Sequence, residues 1–300
     1  MKRLISIFLV LATVLTLTAA IPVSAEEETA ELSETYGVLT YEINVDNTIR
    51  ITGCDTSVTD VTIPAEIDGR SVTSIGRYAF SGCSSLANVT ISDSVVSIER
   101  DAFQDTAYYN NENNWQDGVL YIGRWLIAAK SNILSCTIKS GTIGIAGFAF
   151  YDCSSLTSVT IPNGVISIGE SAFDSCSSLT NITVPDSVIY VGFRAFYHTK
   201  WMNGQPDGPV YIGDILCGTN GYYEGDMIIK EGTRVIAEYA FGSPYTEDSQ
   251  CGAERVIMPD SITYIGRAAF SYCSNLKSVV LSNNIKTIVR GTFSGCSSLE

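Results

Sequence analysis

Along most of the chain, apolar residues return in one fixed phrase. Its clearest copy runs Leu156-x-x-Val159-x-Ile161-Pro162, then Val165-x-x-Ile168, then Ala172-Phe173-x-x-Cys176, and Leu179 opens the next copy. Phenylalanine marks the phrase: Phe80, Phe103, Phe150, Phe173, Phe196, Phe241, Phe270 and Phe293 follow one another at steps of 23, 47, 23, 23, 45, 29 and 23 residues. A period of this length points to stacked coils, each too small to bury its own apolar side, so that the core forms between neighbours. Within a coil, the L-x-x-V-x-I spacing predicts a short parallel strand on the inner face of a curved solenoid, ended by Pro162. The three- and four-residue steps from Val165 to Phe173 predict a turn, a short strand or a helical turn on the opposite face. Small Ala172 lets neighbouring coils close up, and the Phe173 ring fills the space between the two faces.

Departures from the period locate the irregular parts. The 47- and 45-residue steps are close to two periods, so each holds an inserted coil, at about 104–136 and 197–227. The inserts match one another: Asp117-Gly118 with Asp207-Gly208, Tyr121-Ile122-Gly123 with Tyr211-Ile212-Gly213, and Lys139-Ser140-Gly141-Thr142 with Lys230-Glu231-Gly232-Thr233. Each predicts a hairpin, about Gly123-Arg124 or Gly213-Asp214. The 29-residue step predicts a six-residue surface loop within residues 242–254. Upstream, Leu39, Tyr41, Ile43 and Val45 alternate with polar residues, Asp46-Asn47 supplies a turn, and Ile49 and Ile51 resume the alternation. That is a hairpin, 36–55, placed to cap the first coil, whose open end would expose apolar side chains and an unpaired edge. The stack begins in earnest at Val61-Thr62-Ile63-Pro64, within a solenoid predicted for 56–300. Its last copy stops after Cys296 and Leu299, before the strand Leu299 should open, so the chain is expected to be the front part of a longer protein.

Lys2 and Arg3 precede an apolar run from Leu4 to Ala20, and Val23-Ser24-Ala25 is a small-residue exit, so residues 1–25 read as a secretory signal peptide. Glu26 rather than cysteine follows the cleavage point, which argues against a lipoprotein. Residues 26–35, rich in glutamate, read as a disordered leader. Losing Lys2 and Arg3 takes the net charge from -14 to -16. An anionic body repels nucleic acid and anionic membranes. No later stretch is apolar for long enough to span a bilayer, so no membrane insertion is expected once the signal is removed. Of the nine cysteines, Cys83, Cys153, Cys176, Cys273 and Cys296 share one repeat slot and read as a ladder of buried free thiols. Any disulfide is to be sought among Cys54, Cys136, Cys217 and Cys251.

With the returning I-G-x-x-A-F-x-x-C-S-S-L-x-x-V-x-I-P pattern, residues 56–300 resemble the BspA-like leucine-rich repeat family of bacterial secreted and surface proteins. The resemblance implies an α/β-type leucine-rich repeat solenoid, a strand-rich horseshoe, with extracellular display and adhesion or protein binding. It transfers no binding residue, and the anchoring modules common in the family are not seen in this sequence.

Candidate chemistry is sparse. His198 is the single histidine, so neither a histidine-pair metal site nor an ordinary serine-histidine hydrolase is supported, and its position after Phe196-Tyr197 reads as a loop. No phosphate loop, C-x-x-C pair or calcium loop is present, so no cofactor, metal or catalytic residue is assigned. Asp101 with Asp105 reads as surface charge, and the glycosylation patterns at Asn88 and Asn181 as repeat residues in strands. More informative is the residue between the last two apolar strand positions, which should face solvent. In order it is Thr62, Thr90, Thr137, Thr160, Thr183, Ile228, Ile257 and Val280. Stacking of β-branched residues in a sheet explains the column as a whole. Its change to hydrocarbon makes Ile228, Ile257 and Val280 a candidate protein-docking strip. Tyr108, Tyr109, Trp115 and Trp201 in the inserts are a second candidate surface, for protein or sugar, against the reading that Tyr108 and Trp201 only pack their coils. The expected function is therefore protein binding or adhesion at an extended face, to an extracellular protein or a cell-surface ligand such as a glycan, and not catalysis. The alternative is a carbohydrate-binding or scaffold-type accessory module of a larger secreted polysaccharide-degrading protein.

Overall fold

A computed structural model describes residues 33–221, 223–242 and 251–300. The signal peptide, residues 26–32 of the leader and most of the six-residue loop lie outside the described residues. Among the described residues strands dominate, and the two α-helices, Ala107–Asn110 and Lys200–Asn203, are one turn each.

Each regular copy contributes two strands to two different rows. In the first row, Asp60–Ile63 pairs in parallel with Asn88–Ile91, Ser135–Thr137 with Ser158–Thr160 and then Asn181–Thr183, and Tyr223–Ile228 with Cys251–Ile257 and then Ser278–Val280. Partners such as Val159 and Ile182 stand 23 residues apart, so equivalent positions of successive copies stack directly. The second row is built from two-residue strands, among them Gly144–Ile145, Ser167–Ile168 and Tyr190–Val191, also parallel. Side-chain alternation along each first-row strand puts Val159, Ile182, Met227 and Val256 inside, against the second row's Ile168, Val191 and Ile265.

Between the rows the phenylalanine rings stack face on face. Phe150 and Phe173 have centroids 5.0 Å apart, Phe173 and Phe196 5.8 Å, Phe241 and Phe270 4.7 Å, and Phe80 and Phe103 5.0 Å, all within 14° of parallel. These offset stacks add to the burial of the rings, every one of which except Phe293 is fully or almost fully enclosed. Among the described residues the ladder is interrupted at both inserts. The buried side chains fall into two clusters that meet at the first insert, whose Ile122 and Trp125 belong to the N-terminal one and Val119 and Leu126 to the other. Trp125 pairs with Gly144 in the second row, and its ring occupies the space that a Cβ on Gly144 would fill, only 2.3 Å away.

Both inserts are antiparallel hairpins, Val119–Ile122 with Trp125–Ala129 and Gly208–Ile212 with Ile215–Asn220, each joining the second row in parallel through its second strand. Their likeness extends to contacts. The Tyr121 and Tyr211 hydroxyls accept from the Lys139 and Lys230 backbones at 3.1 and 3.2 Å, and Thr142 and Thr233 donate to those same residues' carbonyls at 2.7 Å. The helical turn that opens each insert is capped by a threonine: Thr106 accepts from the Tyr109 backbone and Thr199 from the Met202 backbone.

At the first end, β1 (Glu34–Tyr36), β2 (Leu39–Ile43) and β3 (Ile49–Cys54) form an antiparallel group, and β3 continues in parallel into Arg70–Ile75. Strand β1 takes Glu34 and Thr35 out of the leader expected to run to residue 35. The cause is local: Glu34 pairs with Tyr41 in the ladder, and its carboxylate accepts the Tyr41 hydroxyl at 2.7 Å.

One feature has no counterpart in the hydrophobic pattern. At the residue two before each ladder phenylalanine the backbone is left-handed: Tyr78, Asp101, Phe148, Ser171, Arg194, Tyr239 and Ala268 have φ between 49° and 62°. For a residue with a Cβ this costs about 1–2 kcal/mol. The corner offsets it with hydrogen bonds to the next coil, since Phe148 N donates to Glu170 O, Phe150 N to Ala172 O, Ser171 N to Phe193 O and Phe173 N to Ala195 O, each at 2.8 Å.

Candidate binding faces

On the outer side of the first row, the predicted column is a physical one. Thr62 pairs with Thr90, Thr137 with Thr160 and Thr183, and Ile228 with Ile257 and Val280, and all five threonines are exposed. Ile228 is 71% exposed and Val280 45%, with Ile257 half-buried between them. Parallel strands lie about 4.8 Å apart, so the three side chains make a strip roughly 10 Å long. Beside it run Asp226, Arg255 and Ser278, all exposed, and the Lys277–Glu254 ion pair at 2.9 Å. The strip therefore has an apolar centre and a charged rim.

The insert aromatics sit differently. All four are half-buried, and the polar ends of Tyr108 and Trp115 are taken. The Tyr108 hydroxyl donates to Tyr121 O at 2.8 Å, and Trp115 Nε1 donates to Tyr109 O at 2.8 Å while its ring lies edge-on to that of Tyr109. Trp201 packs edge-on to Phe196 at 5.9 Å, next to the core. The Lys130 ammonium stands 5.3 Å from the Trp115 ring, which further covers it. These four do not converge on one surface with the aliphatic strip: Tyr108, Tyr109 and Trp115 form one group and Trp201 stands with Phe196.

His198 is exposed, with Nδ1 3.4 Å from the Asp174 carboxylate and φ of 53° at a coil corner. Asp101 is paired to Arg100 at 2.9 Å. Asn88 and Asn181 both lie in strands. Among the described residues no cluster of histidine, cysteine and carboxylate has the makings of a metal site, and no helix is long and apolar enough to cross a membrane.

Sequence reasoning missed a cleft of about 500 Å³ along the second row, lined by Arg50, Arg77, Glu99, Glu170, Arg194, Glu238 and Arg267 with Tyr190, Phe193 and Tyr239. It forms because the backbone bonds Gly147 N to Ile98 O and Glu238 N to Val191 O carry the row past both inserts. Arg77 then reaches over Gly147 to Glu170 at 2.5 Å. Burial pushes the Glu238 carboxyl up to about 7, with Arg267 nearby pulling the other way, and burial beside Glu238 raises Tyr190 well above the ordinary phenol. Arg194 Nε is buried without a hydrogen-bond partner, its guanidinium lying over the Phe193 and Tyr197 rings. The signal was present in the sequence as the residue after the Ile-Gly or Val-Gly pair that precedes Phe80, Phe173, Phe196 and Phe270, namely Arg77, Glu170, Phe193 and Arg267, but only stacking makes it a column.

Comparison with known proteins agrees with the repeat geometry. Six copies of the BspA type leucine rich repeat region match residues 53–153, 143–205 and 225–300. Similar solved structures include a leucine rich cell surface protein from Faecalibacterium prausnitzii A2-165 (23% identity over 90% of this chain and 81% of that one, TM-score 0.33). A leucine-rich repeat protein from Bacteroides capillosus is 26% identical over 56% of this chain and 93% of that one, with a TM-score of 0.23. The pneumococcal vaccine antigen PcpA is 17% identical over 90% and 75%, with a TM-score of 0.30. No functionally curated protein is significantly similar in sequence. Matched over most of its length, the chain belongs to the BspA-type leucine-rich repeat family.

Proposed function

We propose that this is a secreted or cell-surface bacterial protein whose curved stack of 23-residue coils, a horseshoe capped by the β2–β3 hairpin, binds an extracellular protein through the strip Ile228, Ile257 and Val280. One observation carries the reading: three aliphatic side chains are held in register, Ile228 and Val280 exposed and Ile257 half-buried between them, in a column otherwise made of threonine. Leaving them in water has a cost that a partner's apolar surface removes. The signal-peptide pattern and the cell-surface description of the Faecalibacterium protein support placing the chain outside the cell. A glycan platform is less well served, because sugars stack on open aromatic faces and the insert aromatics are occupied by packing and hydrogen bonds. A binding role rather than an enzymatic one suits a surface whose single histidine is exposed at a corner.

The test is a double substitution, Ile257→Lys with Val280→Lys, read by biolayer interferometry against a panel of purified extracellular matrix proteins, with a glycan array run alongside. The expected result is a matrix-protein ligand bound by the wild type and a loss of about tenfold or more in the variant, at an unchanged thermal transition. Equal binding by the variant, or capture by glycans alone, overturns the proposal.

A further inference from the structure

Two ladder cysteines bond the phenylalanine carbonyl one coil back, Cys176 Sγ donating to Phe150 O and Cys296 Sγ to Phe270 O, both at 3.1 Å. Cys83 is the first member of the ladder and has no phenylalanine coil behind it. In that place stands Cys54, the last residue of β3, and the two Sγ atoms are 2.6 Å apart. That separation is well inside the van der Waals contact of two sulfurs and close to the roughly 2.05 Å of a disulfide bond, for a pair 29 residues apart in sequence. Cys83 is 1% exposed while Cys54 is half-buried, so one sulfur is open to a reagent and the other waits behind it.

We propose that Cys54 and Cys83 are an oxidation site that closes to a disulfide outside the cell, fastening the antiparallel β1–β3 end to the first coil. The oxidant is a disulfide, that of a thiol–disulfide oxidoreductase on the secretory route or of a small-molecule disulfide. The Cys54 thiolate attacks it, forming a mixed disulfide and releasing one thiol. The Cys83 thiolate then attacks Cys54 Sγ, forming the Cys54–Cys83 bond and releasing the second thiol. Two protons and two electrons leave the cysteines, and the oxidant's disulfide is reduced to two thiols. Burial and the facing Cys83 raise the Cys54 thiol, so the first attack is slow near neutrality. A basic thiol is also a poor leaving group, so the bond once made resists reduction, as befits a structural fastening and not a catalytic one.

Trypsin separates the pair cleanly, since Cys54 is the single cysteine of peptide 51–70 and Cys83 that of peptide 78–100. The full chain, purified reduced, is incubated with oxidised glutathione at pH 8.5, alkylated, digested without reductant and mapped by mass spectrometry. The expected result is the 51–70/78–100 linked pair, restored to separate peptides by reductant. Alongside it, the thermal midpoint should rise by about 5–10 °C, and this rise should be absent in Cys54→Ser. Alkylation of both cysteines as free thiols after oxidation, or linkage of Cys83 to a cysteine other than Cys54, overturns the proposal. The mapping does not depend on any ligand, so its failure is distinguishable from failure of the binding reading.

Discussion

Replacing Phe173 by alanine tests whether the stacked rings hold the coils together. The ring is fully enclosed and stacked on both faces, at 5.0 Å from Phe150 and 5.8 Å from Phe196. A phenylalanine buries about 150–250 Å² of side chain, worth roughly 4–6 kcal/mol at 25 cal/mol per Å². Alanine keeps the β-carbon's share, and a real unfolded chain already hides part of the rest, which brings the loss to about 3–4 kcal/mol. Two lost ring contacts and a cavity between parallel coils that cannot collapse raise it to about 4–5 kcal/mol, a large part of ordinary domain stability. Phe80 stacks on one ring, Phe103, so Phe80→Ala should cost about 1 kcal/mol less. Tyr151 on the Phe150 coil is 46% exposed, and Tyr151→Ala should cost under about 1 kcal/mol. Urea unfolding followed by circular dichroism measures the three differences. Hydrogen exchange locates them, with Ser158–Thr160 and Asn181–Thr183 losing protection first because coupling runs between neighbouring coils. If Phe173→Ala costs no more than Tyr151→Ala, the rings fill space without joining coils, and the reasoning is refuted.

Glycine placement gives a second test: a Cβ at Gly169 would sit 2.4 Å from Gly147 N, a backbone atom of the preceding coil, whereas one at Gly164 meets nothing and only its φ of 100° resists. Gly169→Ala should therefore cost about 3 kcal/mol and Gly164→Ala about 1 kcal/mol in the same urea assay. A third concerns pH. Glu238 is raised in the folded state to about 7, so its protonated form favours folding; that contribution is complete below about pH 4.5 and is lost as pH rises through 7. Wild type should lose on the order of 2 kcal/mol between pH 5 and 8 relative to Glu238→Gln, and parallel stability curves for the two would contradict the assignment. Asp55, Asp60 and Asp260 are lowered by hydrogen bonds from Ser57, from Thr59 and Asn88, and from Asn283, so their contributions fade only as pH falls through the acid range and leave this window clear. A fourth follows from the Thr199 cap, buried and bonded to both Met202 N and Phe196 O: Thr199→Ala should cost about 1–2 kcal/mol, checked by thermal melting.

What the amino-acid order determined by itself is whatever depends on neighbours at a constant spacing. Val159 above Ile182, Thr160 beside Thr183 and Phe173 between Phe150 and Phe196 follow once the coils stack, because identical phrases place identical side chains at identical heights. The Ile228–Ile257–Val280 column was legible for the same reason, its exposure following from strand alternation. Tertiary structure decided whatever joins positions that the period does not relate. It set the left-handed corner at Phe148, Ser171 and Arg194, which no propensity favours and which intercoil hydrogen bonds sustain. It packed the Trp125 indole onto Gly144, and it gathered Arg77, Glu170 and Glu238 into one cleft by carrying the second row past two inserts. It also brought Cys54 of an antiparallel strand against the first rung of the cysteine ladder. Each is a distance across coils of unequal length, and such a distance exists only after the chain has closed around its core.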